Sequence, residues 1–128
     1  MIVDASAVVD SLSRPRLTRT MRGTQLAAPD LLVPETLNAF WKIARRGTAT
    51  PDRRDILEAL DRIRIVPSRP LAGRATELAA RFDHPVYDCL YLALAEAESD
   101  VLLTGDKRLV SKVTDRTLRR YVRLLDVR

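Results

Sequence analysis

The chain has 128 residues, 46% of them hydrophobic and 30% charged, which is enough to bury a core and reads as one globular domain over 1–128. No apolar run approaches the roughly 20 residues of a membrane span, and Met1 opens no signal-peptide pattern, so a cytoplasmic protein is expected. The net charge of +5 comes mainly from arginine, and the single cysteine, Cys89, leaves neither an internal disulfide nor a Cys/His zinc site. A basic balance suits a nucleic-acid partner and suits a solvated, arginine-rich surface equally well.

In chain order, "MIV" reads as a buried strand followed by a helix over 5–12, with Val8, Val9 and Leu12 as its stripe. Residues 14–25 read as a second helical piece, with Leu17 and Met21 at helical spacing. "LAA" leads through Pro29 and Asp30 into a helix ending at Arg46. Leu37, Phe40, Trp41 and Ala44 recur there at i, i+3, i+4 and i+7, and Gly47 closes it. Phe40 and Trp41 are expected in the core or a dimer interface.

Thr50, Pro51 and Asp52 spell a helix start, with Thr50 as cap and Ile56, Leu57, Leu60 and Ile63 as the buried face. "RIVP" is a short strand. Leu71, Ala75, Leu78, Ala79 and Phe82 mark another helix, broken at His84 and Pro85, and 86–98 is a strongly apolar one. "VLLT" is a strand, 107–112 a helix, and "VRLLDV" a last strand. Strands separated by helices predict a three-layer α/β/α sandwich around a mainly parallel sheet. Ligands of such sheets collect at the carboxyl ends of the strands.

Asp4, Glu35 and Asp106 each follow a strand directly or after a short turn. Asp88 reaches the same edge by another route. Its helix must run antiparallel to the next strand in order to feed it. About 17 Å of helix matches roughly 17 Å of a five-residue strand. Each acid also has a local reading. Asp4 and Asp106 could be N-caps, and Glu35 and Asp88 could be first-turn residues. Convergence favours a shared site. At an effective dielectric near 20 and about 5 Å, each carboxylate pair repels by roughly 3 kcal/mol, so four acids together call for a cation or raised pKa values, and metal binding is the better reading. An all-oxygen site with no histidine or cysteine nearby suits Mg²⁺ or Mn²⁺. His84 is expected to be a solvated loop residue and Cys89 a small core residue.

The segments "IVDASAVV", "APDLLVPETLNAFWK", "YDCLYLALAE" and "LLTGDKRL" together resemble the acidic motifs of PIN-domain nucleases, above all the VapC-type toxins of prokaryotic toxin–antitoxin systems. The resemblance runs over essentially the whole chain. It implies a PIN-like fold and Mg²⁺-dependent hydrolysis of RNA phosphodiester bonds by an activated water. Carried over onto this sequence, Asp4 and Asp88 are primary metal ligands. Glu35 and Asp106 complete the coordination or orient the water. Ser6, Asn38 and Thr104 match supporting positions. It further implies a small antitoxin partner and a homodimer.

Lys107 and Arg108, directly after Asp106, are candidates for contacting RNA phosphates. One histidine rules out a two-histidine ribonuclease mechanism. Two rivals were weighed. An aspartate-nucleophile phosphatase needs a second acid two residues after Asp4, where this chain has Ser6. A non-catalytic RNA- or protein-binding domain of the same fold would not need the complete acidic set.

Overall fold

The computed structural model describes residues 1–14, 21 and 23–125. Five strands form one all-parallel sheet: β1 (Ile2–Val3), β2 (Leu26–Pro29), β3 (Ile63–Val66), β4 (Leu102–Thr104) and β5 (Val122–Leu124), in spatial order β3-β2-β1-β4-β5. The helices are α1 (Ala5–Ser13), α2 (Leu32–Arg45), α3 (Arg53–Asp61), α4 (Ala72–Phe82), α5 (Val86–Glu98), α6 (Lys107–Lys112) and α7 (Arg116–Arg119), with a 3₁₀ turn at Arg69–Leu71 before α4. Most of the expected helical piece over 14–25, and the end of the last strand past Leu125, lie outside the described residues.

The strand order decides where a site can form. From β1 the chain steps outward to β2 and β3, then crosses back over β2 and β1 to reach β4. Right-handed crossovers put the two legs on opposite faces of the sheet. α5 carries the return leg across β2, β1 and β4 and packs under α4. That sandwiched position explains why Cys89, Leu90, Tyr91, Leu92, Ala93, Leu94 and Ala95 are all buried. The same burial pushes the Cys89 thiol up to about 11, so it sits there as a neutral core group. β1 and β4 are neighbours fed from opposite faces, so the switch point of the sheet lies between their carboxyl ends. Register places Val3 opposite Leu103, which sets Asp4 level with Thr104.

Local chemistry fixes the helix ends. Asp83, in the left-handed region at φ 48°, stops α4, and the His84 amide then donates to Ala79 O at 3.2 Å. Aspartate is among the few residues that accept this conformation readily. Pro85 follows and starts α5. Three details of the pattern differ from expectation. Asp52, not Thr50, caps α3, its carboxylate accepting the Arg54 amide at 2.9 Å, because Pro51 stays outside the helix. Leu57 is exposed rather than buried, and Ile63 belongs to β3 rather than to the helix face. Phe40 is core, but Trp41 is 56% exposed, with the Arg45 guanidinium over its ring.

Candidate active site

β1 ends at Val3, and Asp4, in extended conformation, turns the chain into α1. Its Oδ1 accepts the Ala7 amide at 3.0 Å and the Ser6 hydroxyl at 2.6 Å. Its Oδ2 accepts the Thr104 hydroxyl. Asp4 is therefore an N-cap whose carboxylate also stands at the carboxyl edge of the sheet, and the two readings of the sequence do not compete. Both hydroxyls are themselves oriented. Ser6 Oγ accepts the Gly105 amide at 2.8 Å, and Thr104 Oγ1 accepts the Asp106 amide at 3.0 Å. With an amide N–H on each oxygen, each hydroxyl hydrogen is released toward Asp4. A Cβ added at Gly105 would lie 3.1 Å from Ser6 Oγ, a tight contact that would press on the Ser6 side chain holding Asp4.

Glu35 enters from the first turn of α2, and its Oε1 accepts the Tyr91 hydroxyl at 3.0 Å. Asp88 enters from the first turn of α5. Asp106 caps α6, its Oδ1 taking the amides of Arg108 at 2.9 Å and Leu109 at 3.2 Å. Burial pushes the carboxyls of Asp4, Glu35 and Asp88 above the usual range. Hydrogen bonds from Ser6, Tyr91 and His84, respectively, oppose it. The charge of Asp88 adds to the rise at both Asp4 and Glu35, and that of Asp106 to the rise at Asp88. These mutual effects mark the four acids as one electrostatic unit.

The expectation for His84 is corrected. It is not solvated: its side chain is 3% exposed, with Nε2 2.7 Å from Asp88 Oδ2 and 3.5 Å from Asp106 Oδ2. The edge is accordingly not histidine-free. His84, Asp88 and Asp106 bring one potential ligand atom each within 4.8 Å of one another. The αL turn at Asp83 folds the ring back under the first turn of α5, a consequence invisible in the motif alone. Tyr91 was also missed, although a tyrosine inside a buried apolar run needs a partner for its hydroxyl.

Ser6 and Thr104 sit on Asp4 as described. Asn38 lies exposed, one turn along α2 from Glu35, and makes no side-chain hydrogen bond among the described residues. Lys107 and Arg108 are exposed at the start of α6 and make no ion pair among the described residues.

The donor set fits a divalent cation. The four carboxylates feel one another's charge, no lysine or arginine side chain is bonded to any of them among the described residues, and burial strains the charged forms of three. A hard, oxygen-seeking cation relieves that strain. No helix among the described residues is long and apolar enough to cross a membrane.

A parallel α/β sheet with paired acids at its switch point defines a class of metal-assisted hydrolase sites. The family profile of the PIN domain matches residues 1–115, and the chain belongs to the PIN-domain family, in its VapC group. Ribonuclease VapC3 of Pyrobaculum aerophilum is 30% identical over 122 residues, 88% of this chain and 93% of the relative. Ribonuclease VapC3 of Mycobacterium tuberculosis is 35% identical over 120 residues, 85% of this chain and 84% of the relative. The crystal structure of a P. aerophilum protein superposes with a TM-score of 0.74 at 25% identity, covering 97% of this chain and 87% of that one. A chain of a toxin–antitoxin complex from Klebsiella pneumoniae shares the fold, with a TM-score of 0.70 at 17% identity over 88% of this chain and 92% of that one.

Proposed function

We propose that this protein is a metal-dependent endoribonuclease that cuts RNA phosphodiester bonds with water and acts as the toxin of a toxin–antitoxin pair. The observation that carries the reading is Asp4: a carboxylate only 7% exposed, at the sheet's switch point, saturated with donors on Oδ1 and reached on Oδ2 by Thr104. Burial makes the charged form of this group costly, and a cation would offset that cost. Mg²⁺, or Mn²⁺, supplies charge neutralisation at the scissile phosphate and lowers the pKa of water.

The chain's own part is to hold and orient. Asp4 and Asp88 are the primary ligands. Glu35, with Oε1 tied to Tyr91, and Asp106, with Oδ1 tied to backbone amides, use their remaining oxygens to complete the coordination or accept the proton of the attacking water. Ser6 and Thr104 keep Asp4 ionised and fixed. Lys107 and Arg108 attract the phosphate backbone.

The toxin role is supported by the VapC relatives, and an inhibitory antitoxin would lay a basic side chain into the acid cluster. Self-association fits the exposed Leu37 and Trp41 on α2. A cytoplasmic location suits an RNA substrate. The test is cleavage of RNA by wild type and Asp4→Asn at saturating Mg²⁺. Loss of cleavage with an unchanged circular-dichroism spectrum is expected. Full activity in the variant would overturn the assignment of Asp4, and no metal-dependent cleavage by wild type would favour a non-catalytic binding domain.

A further inference from the structure

Donors of the chain hold all four acids: both oxygens of Asp4 are tied, whereas in Glu35, Asp88 and Asp106 one oxygen is tied and no hydrogen bond reaches the other among the described residues. Asp4 Oδ1 takes Ser6 and Ala7, Glu35 Oε1 takes Tyr91, and Asp106 Oδ1 takes two amides. For Asp88 the tying group is His84, at 2.7 Å from Oδ2, and no donor reaches its Oδ1 among the described residues. The same imidazole nitrogen lies 3.5 Å from Asp106 Oδ2, between the two carboxylates.

The other ring nitrogen decides what His84 does there. Nδ1 is buried and has no hydrogen-bond partner among the described residues. A proton on Nδ1 would be a buried donor without an acceptor, which costs about 1–3 kcal/mol. In the neutral ring the proton therefore sits on Nε2, facing two carboxylate oxygens. A metal-ligating histidine has the reverse arrangement. Its coordinating nitrogen is bare, and its other N–H is held by a carboxylate, carbonyl or water. His84 offers no such second partner.

We infer that His84 is a positioning residue, an Nε2–H donor that grips Asp88 by Oδ2 and steadies Asp106, so that Asp88 presents Oδ1 to the divalent cation while the imidazole itself stays off the metal. This rests on the metal-dependent reading above. The device also supplies a polar hydrogen where Asp88 and Asp106 would otherwise face each other bare. The main-chain turn at Asp83 and Pro85 fixes it rigidly, because the His84 amide is bonded to Ala79 O.

The test is calorimetric titration of Mg²⁺ and of Mn²⁺, without RNA, into wild type, His84→Ala, His84→Gln and Asp88→Asn. The alanine variant should weaken both metals by a similar factor, roughly 10–100-fold, as loss of an outer-shell partner does. Glutamine, which retains an N–H at comparable reach, should recover most of the loss. A loss confined to Mn²⁺ with no recovery in glutamine would make His84 a ligand and overturn the inference. Unchanged affinities in a folded alanine variant would reduce it to packing, with the same effect.

Should the alanine variant fail to fold, the glutamine variant and wild type still decide. The chain has one histidine, so long-range ¹H–¹⁵N spectra read its tautomer without ambiguity. Retention of Nε2–H in the Mg²⁺-saturated protein is expected, and its loss overturns the inference. Wild type that binds neither metal would defeat the metal-dependent reading itself. That result is distinct from an intact isotherm that ignores position 84.

Discussion

Thr104 and Asp4 stand level on adjacent strands, and the Thr104 hydroxyl gives its hydrogen to Asp4 while accepting the Asp106 amide at 3.0 Å. One fully buried side chain thus connects the first and last acids of the site. Valine has the same shape without the hydroxyl. Thr104→Val should cost about 1–3 kcal/mol in urea melts, because the Asp106 amide and Asp4 Oδ2 both lose a partner. It should also weaken Mg²⁺ binding, since a donor that favours ionised Asp4 is gone. Thr104→Ser should restore both. Normal metal affinity in the valine variant would show that Ser6 and Ala7 suffice.

Tyr91 gives a parallel case on Glu35. Burial and the neighbouring Glu35 charge hold the phenol far above its ordinary range, so it stays a donor at any working pH. Tyr91→Phe keeps the ring in the core and removes only the bond to Oε1. Stability should fall by about 1 kcal/mol. Cleavage at saturating metal should fall roughly 10-fold, as for loss of an outer-shell partner. A KM change with kcat intact would assign Tyr91 to RNA binding instead.

These two cases show what could be read from the sequence. Strand–acid adjacency located Asp4, Glu35 and Asp106, since a parallel sheet has one carboxyl edge. The antiparallel run of α5 brought Asp88 to that edge. Periodic apolar residues located α4, whose Ala75, Leu78 and Phe82 are buried at helical spacing, and a continuous apolar run located α5, buried from Cys89 to Ala95. What escaped depended on ends and pairings. His84 read as a loop residue because a His-Pro step breaks a helix, yet the αL residue before it turns the ring inward. Asp52 captured the cap of α3 from Thr50, two residues further along the chain.

Metal and pH should act on stability in opposite senses. Asp4, Glu35 and Asp88 have raised carboxyl pKa values in the fold. Between the unfolded value, near pH 4, and the folded one, the native state holds protons that the unfolded chain has released. Stability therefore falls as pH rises through that window, and above it the penalty stays constant. Asp4→Asn removes one such carboxylate. Without metal, the melting temperature of the variant relative to wild type should climb from pH 4 to pH 7. Mg²⁺ at 100 times its Kd should add about 2.7 kcal/mol to wild type and much less to the variant. A pH-independent difference in EDTA would show that Asp4 is not strained by burial.

Lys107 and Arg108 follow Asp106 at the mouth of the acid cluster, exposed, while the amide of Arg108 and that of Leu109 bind Asp106 Oδ1. Their backbone is engaged with the site and their side chains face solvent. Cations cannot ligate Mg²⁺, so the role proposed for them beside the carboxylates is to offset repulsion between the acids and an incoming phosphate. Replacing both with alanine should leave Asp106 capped and the melting temperature nearly unchanged. RNA binding should weaken, and the slope of log K against log salt should flatten by about 1.4, at about 0.7 per phosphate contact of a single strand. The cleavage rate of bound RNA should fall far less than in Asp88→Asn, because positioning and chemistry are separate steps. An unchanged affinity and salt slope would make the pair an ordinary solvated first turn. The phosphate path would then run over other arginines, with Arg14, Arg16 and Arg19 the next set to replace; Arg16 and Arg19 lie outside the described residues.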